Sequence, residues 1–82
     1  MRRIYEYNIG NGAGVRLELP VHFEVVHFEF YEGSFWICVD HELNNRKYNY
    51  HFEVIGTDWD ILEGRHIATT RVGQRLWHLM AV

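Results

Sequence analysis

A chain of 82 residues with a net charge of −3 has room for one domain and lacks the basic face on which general nucleic-acid binding rests. Cys38 is the only cysteine, so no disulfide can staple the fold, and a lone thiol suits a reducing compartment such as the cytoplasm. Phe35 to Val39 is far shorter than the ~20 apolar residues of a membrane helix, and Met1-Arg2-Arg3 is not followed by the apolar segment of a secretory leader.

In chain order, Arg3 to Asn8 alternates Ile4 and Glu6 against Tyr5 and Tyr7 and predicts a first strand. Residues 10–14 are turn chemistry, and Val15 to Leu19 returns as a second strand with Val15, Leu17 and Leu19 on one face, so the two are expected to form a hairpin. Such a turn should tolerate shortening. Pro20, the only proline, cannot donate to a ladder and marks the next turn.

The triplet His-Phe-Glu occurs at residues 22–24, 27–29 and 51–53. The first two copies lie five residues apart, so an uninterrupted strand would put Phe23 and Phe28 on opposite faces. A bulge or turn near Val25-Val26 is expected there, unless the first copy is not strand at all. Val25 to Tyr31, the hairpin Glu32-Gly33-Ser34 and Phe35 to Asp40 then form a strand pair. His41 to Lys47 reads as a polar loop, and Tyr48 to Ile55 alternates strictly with Tyr48, Tyr50, Phe52 and Val54 on one face.

After Gly56, Ile61-Leu62-Glu63 is expected to form one helical turn capped by Asp60. His66 to Arg71 and Arg75 to Ala81 close the chain as a hairpin around Val72-Gly73-Gln74. Residues 1–82 thus predict one all-β domain, an antiparallel sandwich or small barrel of about six to seven short strands. Two strands are apolar on both faces: Phe35 to Val39, with Trp36 and Cys38 opposite Phe35, Ile37 and Val39, and Leu76 to Ala81, with Trp77 and Leu79 opposite Leu76 and Met80. One small core has no room for both faces of both strands, so a homo-oligomer is expected.

Together, several segments resemble a family of short uncharacterised proteins encoded mainly in tailed-phage genomes. They are Arg3-Ile4-Tyr5-Glu6-Tyr7, Leu17-Glu18-Leu19-Pro20, Val25-Val26-His27-Phe28-Glu29, Trp36-Ile37-Cys38-Val39-Asp40, Phe52-Glu53-Val54-Ile55-Gly56-Thr57 and Trp77-His78, spread over nearly the whole chain. This chain departs from that pattern at Asp58-Trp59-Asp60, in a shorter hairpin before Trp36 and in a glycine-rich first turn. The resemblance implies a phage or prophage origin, residence in the host bacterial cytoplasm, and binding of something belonging to the host, including defence proteins and their nucleotide signals.

No catalytic constellation is legible, and no cofactor or metal is expected. Cys38 as a nucleophile would need a base and exposure, and it lies mid-strand between apolar neighbours, while the His-x-Glu pairs, led by His51 and Glu53, suit a solvated strand face. The glycine-rich segment precedes a strand, whereas a phosphate loop feeds a helix. Asp58 and Asp60 are read as capping a turn rather than holding a cation. The candidate ligand-binding residues are Trp59, His66, Arg71, Arg75, Trp77 and His78, because rings that stack and arginines that grip phosphate are what a nucleotide site needs. The expectation is therefore a non-enzymatic binding protein that sequesters a small, cyclic-nucleotide-type signal of host defence. The alternative is a protein–protein module that inhibits a host protein or serves in virion assembly.

Overall fold

Alternation of apolar and polar residues, repeated seven times, builds this molecule. The computed structural model describes residues 1–43, 46–61 and 63–82. The strands are β1 (Arg2–Gly10), β2 (Val15–Pro20), β3 (Phe23–Tyr31), β4 (Ser34–Glu42), β5 (Lys47–Gly56), β6 (Arg65–Val72) and β7 (Arg75–Ala81), and no helix occurs among the described residues. They form a three-stranded sheet in the order β1-β4-β3 and a four-stranded sheet in the order β2-β5-β7-β6, with every neighbouring pair antiparallel. The sheets stack as a sandwich, and the edge strands β3 and β6 approach each other along one side.

The core is the set of inward-facing residues of both sheets. Ile9, Phe28, Phe35, Ile37 and Val39 come from the three-stranded sheet, and Leu19, Phe52, Val54 and Leu79 from the four-stranded one. Burying each such side chain contributes about 1.5–3 kcal/mol, which is how a fold without disulfides meets its entropy cost. β4 is the clearest case: buried and half-buried positions alternate from Ser34 to Glu42 without a break.

That alternation carries His41 into the core, where the sequence pattern suggests a polar loop. His41 is 2% exposed, stacked on Tyr5 with ring centroids 4.5 Å apart, and inward-facing like Val39. Its Nδ1–H donates to the Glu42 carbonyl at 2.7 Å, so its Nε2 accepts from the Tyr7 hydroxyl at 2.8 Å. Both ring nitrogens are thereby satisfied with the imidazole neutral. Burial, and the neighbouring Tyr5, push the Tyr7 phenol above its usual range.

Bulges decide which side chains share a face. In β3 the register jumps between Val25 and His27, leaving Val26 unpaired, and Phe23 and Phe28 both point inward. The bulge expected from the triplet spacing is therefore present. In β6 the register jumps between His66 and Ala68, and in β1 between Asn8 and Gly10.

Three local expectations are corrected. Residues 10–14 do not close a hairpin: β1 pairs with β4 and β2 with β5, so this segment crosses from one sheet to the other. It also docks there, since the Val54 N–H donates to the Gly12 carbonyl at 2.9 Å, and a Cβ on Gly12 would come within 2.3 Å of the Val54 side chain. That close approach makes the segment a packed connection rather than a dispensable turn. Pro20 is the buried last residue of β2, paired with Lys47 on an edge strand, where a missing donor costs little. The helical turn expected over residues 61–63 includes Leu62, which lies outside the described residues, while Asp60 and Ile61 are irregular and Glu63 is a bend. Asn44 and Asn45 of the expected polar loop also lie outside the described residues.

Candidate functional site

The outer face of the four-stranded sheet carries the most developed site. Along β7, Leu76, His78 and Met80 point outward, and along β5 so does Ile55. Ile55 and Met80 are nevertheless buried, at 9% and 4% exposure. What covers them is the connection after β5, because Trp59 and Ile61 line a hollow of ≈400 Å³ together with Ile55 and Met80, and His66, Thr69 and His78 complete its wall. A hollow of that size falls in the range of small-molecule sites.

The connection is pinned at its start. The Thr57 N–H and hydroxyl both donate to the Leu76 carbonyl, at 3.3 and 3.2 Å, and the Trp59 N–H donates to the Gly56 carbonyl at 3.3 Å. Asp58 adopts a left-handed backbone with φ 72°, a conformation that Asp tolerates better than most residues. Gly56 permits the close approach of the loop, since a Cβ there would meet the Trp59 ring at 3.0 Å and the Arg75 guanidinium at 2.8 Å.

A hydrogen-bonded chain runs across the site. The His66 Nε2 lies 2.7 Å from the Thr69 Oγ1, which lies 2.9 Å from the His78 Nδ1, and the His78 Nε2 lies 3.0 Å from the Thr57 Oγ1. Proton parity fixes its direction. The single Thr57 proton goes to the Leu76 carbonyl, so the Thr57 oxygen accepts from His78 Nε2–H. Neutral His78 then accepts at Nδ1 from the Thr69 hydroxyl, and Thr69 accepts from His66 Nε2–H. Every hydroxyl and imidazole in the chain is used once as donor, and the His66 Nδ1 remains the free end. The chain exists because of the bulge in β6: residues three apart on a regular strand face opposite ways, and the unpaired Ile67 turns His66 and Thr69 to the same side.

The six sequence-predicted residues divide into two groups. Trp59, His66 and His78 come together around the hollow. Trp77 faces inward, half-buried, with its ring edge-on to Phe35 at 6.0 Å and to Trp59 at 5.5 Å, so it backs Trp59 rather than lining the hollow. The Arg75 guanidinium lies over both indoles, 5.0 Å from the Trp77 ring and 5.9 Å from the Trp59 ring. Arg71 pairs with Leu76 and Arg75 with Val72, which puts the two arginines on opposite faces of the β6–β7 ladder. They meet only at its end, where both border an open groove of ≈540 Å³ with Thr57 and Asp58. The two arginines that flank the turn thus border one groove, which shares Thr57 and Asp58 with the hollow.

Thr57, Thr69, Ile55, Ile61 and Met80 were not singled out by the sequence. The threonines acquire their roles through register alone, and Ile55 and Met80 through the loop that covers them. Cys38 is half-buried on the opposite sheet, paired across the ladder with His27, and no group of three metal-ligating side chains converges among the described residues. His51 and Glu53 are exposed on β5.

No curated protein and no solved structure matches this chain. One family does, over residues 1–82, and its description is Domain of unknown function (DUF7352). With its seven strands and the loop-covered hollow all inside the match, the chain belongs to DUF7352.

Proposed function

We propose that this protein is a non-enzymatic binding protein, of phage type and acting in the host cytoplasm, that sequesters a small phosphorylated signal carrying an aromatic base. The observation that carries this reading is the junction of two unlike subsites at Thr57-Asp58. On one side lies the largely apolar hollow edged by Trp59 and the imidazoles, and on the other the groove bordered by Arg71 and Arg75. A base fits the first through stacking and contact with the free end of the histidine chain, and a phosphate fits the second through guanidinium contacts. Reading the site as binding rather than catalysis is supported by the proton bookkeeping. Both histidines are held as links of the hydrogen-bonded chain through Thr69 and Thr57, which leaves the His66 Nδ1 free to meet a ligand.

Calorimetry with cyclic dinucleotides and ADP-ribose-type signals tests this reading, on the parent chain and on Arg71→Ala and Trp59→Ala. A charge-assisted contact is worth about 1.5–3 kcal/mol, so Arg71→Ala should weaken binding roughly 10- to 150-fold, and less at high salt. Silence across the panel would overturn the nucleotide reading, and binding that ignores both substitutions would move the site elsewhere.

A second reading, a protein–protein module that blocks a host protein or serves in virion assembly, is favoured by a different observation. No other strand covers the outer face of the three-stranded sheet, where Trp36 and Cys38 are half-buried and Ile4 and Tyr31 are exposed.

A further inference from the structure

We propose that the outer face of the three-stranded sheet docks a basic, apolar-centred segment of another protein, and that it does not take a second copy of this chain. The inference rests on the interaction reading and is independent of the nucleotide site.

The face is defined by register. Outward from β4 point Trp36, Cys38, Asp40 and Glu42, flanked by Asn8, Glu6, Ile4 and Arg2 of β1 and by Glu29, His27 and Glu24 of β3. Along its middle strand run Trp36 and Cys38, both half-buried, with Asn8 and Glu29 beside the first and Glu6 and His27 beside the second. Ile4 next to Asp40 and Tyr31 next to Ser34 extend the apolar strip at 62% and 56% exposure. The Trp36 indole N–H donates to the Tyr31 carbonyl at 3.1 Å, which ties the ring to the end of β3.

Around the strip stand five carboxylates, Glu6, Glu24, Glu29, Asp40 and Glu42, against one arginine side chain. Arg2 is bound to Asp40 at 3.1 Å, the Met1 amino group is bound to Glu42 at 2.7 Å, and the His27 Nε2 lies 3.5 Å from a Glu29 carboxylate oxygen. Side chains on this face therefore carry a formal charge of −4, while the whole chain carries −3, so all of the net negative charge resides here. Glu6 and Glu29 reach the centre of the strip closely enough to hold the Cys38 thiol above its usual range, after burial itself.

Two copies joined through this face would set the same negative ring against itself, whereas a partner carrying Arg or Lys around an apolar centre would answer both features at once. The face is also built on three paired strands, an extended surface of the kind that suits a protein partner.

The test titrates the isotopically labelled full chain with a hexapeptide alternating arginine and tryptophan, and with its glutamate–tryptophan counterpart. Chemical-shift changes should centre on the Trp36 indole, Cys38 and His27, with binding of the basic peptide alone. Glu24→Gln combined with Glu29→Gln should weaken it at least about fivefold, as should raising the salt to about 0.5 M. Both glutamates are solvent-facing and the substitutions are isosteric, and unchanged circular dichroism would show that the fold is kept. Shifts centred on residues 57–61 would overturn this surface while leaving an interaction role standing elsewhere. Equal binding of the two peptides, or none, would overturn the surface outright. Concentration-dependent dimerisation that moves the same resonances would show that the occupant is a second copy.

Discussion

The two outer faces of this sandwich start from similar sequences and end in opposite states. Both β4 and β7 are apolar on both sides, yet the outer face of β7 is roofed by the chain itself while that of β4 stays open. Connectivity makes the difference. β5 and β6 are both neighbours of β7 and both antiparallel to it, so they run parallel to each other and their connection must cross β7. The crossing starts beside Trp77, where Gly56 pairs, and ends beside Ala81, where Arg65 pairs. Residues 57–61 on that route lay Trp59 and Ile61 against Ile55 and Met80 and so create the hollow. No connection is required to cross the outer face of the three-stranded sheet, because β3–β4 is a tight hairpin and the remaining links pass between sheets. A roof creates a hollow, and its lack leaves an open platform.

The largest effect that could break this comparison comes from paired truncations. Met80→Ala, beneath the roof at 4% exposure, should cost about 2–4 kcal/mol, because a buried thioether side chain is removed and the sheet below cannot collapse into the space. Ile4→Ala, at 62% exposure on the open face, should change stability by about 0.5 kcal/mol or less. For a domain of this size the first corresponds to a fall in melting temperature of roughly 10–25 °C, and the second would be hard to detect. Equal shifts in differential scanning calorimetry would mean that the loop does not cover Met80 in solution.

A smaller effect sharpens the same contrast. Gly56→Ala puts a methyl group 3.0 Å from the Trp59 ring and 2.8 Å from the Arg75 guanidinium, so one of them must leave. The guanidinium is the far end of a flexible side chain and will move first, losing its place over the two indoles. The expected cost is about 1 kcal/mol, read as a modest drop in urea midpoint, accompanied by a changed Trp fluorescence maximum as Trp59 is uncovered. An unaltered spectrum with unaltered stability would show that the cluster of Trp59, Trp77 and Arg75 is not packed as described.

Much of the fold was legible because strand faces are encoded by neighbours in sequence. The alternation in Tyr48 to Val54 and in Phe35 to Val39 named the inner face correctly, and the five-residue spacing of Phe23 and Phe28 required the bulge that is found at Val26. Strand order is a different kind of information. Nothing local in Ile9 to Val15 says that β1 and β2 belong to different sheets, so the glycine-rich segment was read as a hairpin, and its contact with Val54 could not be foreseen. The same gap explains the site. Trp59, His66 and His78 were identifiable from residue type, but their assembly depends on a second bulge, at Ile67, and on a crossing loop, neither of which has a spacing signal. Arg71 and Arg75 flank the turn, as their places in sequence suggest, but only the pairing with Leu76 and Val72 shows that they stand on opposite faces and meet at its end.

The smallest effect concerns the thiol at the centre of the open face. Burial first, then the Glu6 and Glu29 carboxylates, raise the Cys38 pKa, so at mildly alkaline pH the folded chain should hold less thiolate than a free cysteine. Iodoacetamide should therefore modify Cys38 more slowly than it modifies the unfolded chain at the same pH, and salt should recover part of the rate by screening the carboxylates while leaving the burial contribution untouched. The same shift has a stability consequence with a definite sign. Below the ordinary thiol value of about 8.5 both folded and unfolded chains keep the proton, and the thiol contributes no pH dependence. Above it the unfolded chain releases the proton and the folded chain retains it, so the native state binds more protons and stability falls as pH rises. Cys38→Ser removes this slope without adding bulk, since serine does not ionise in that range. Urea midpoints of the parent and of the serine variant should hold a constant separation from pH 6 to about 8 and change it above that, the parent losing ground. A constant separation throughout, together with alkylation as fast as in the unfolded chain, would mean that Cys38 feels neither Glu6 nor Glu29, and that the acidic ring is more loosely drawn around the apolar strip than its register implies.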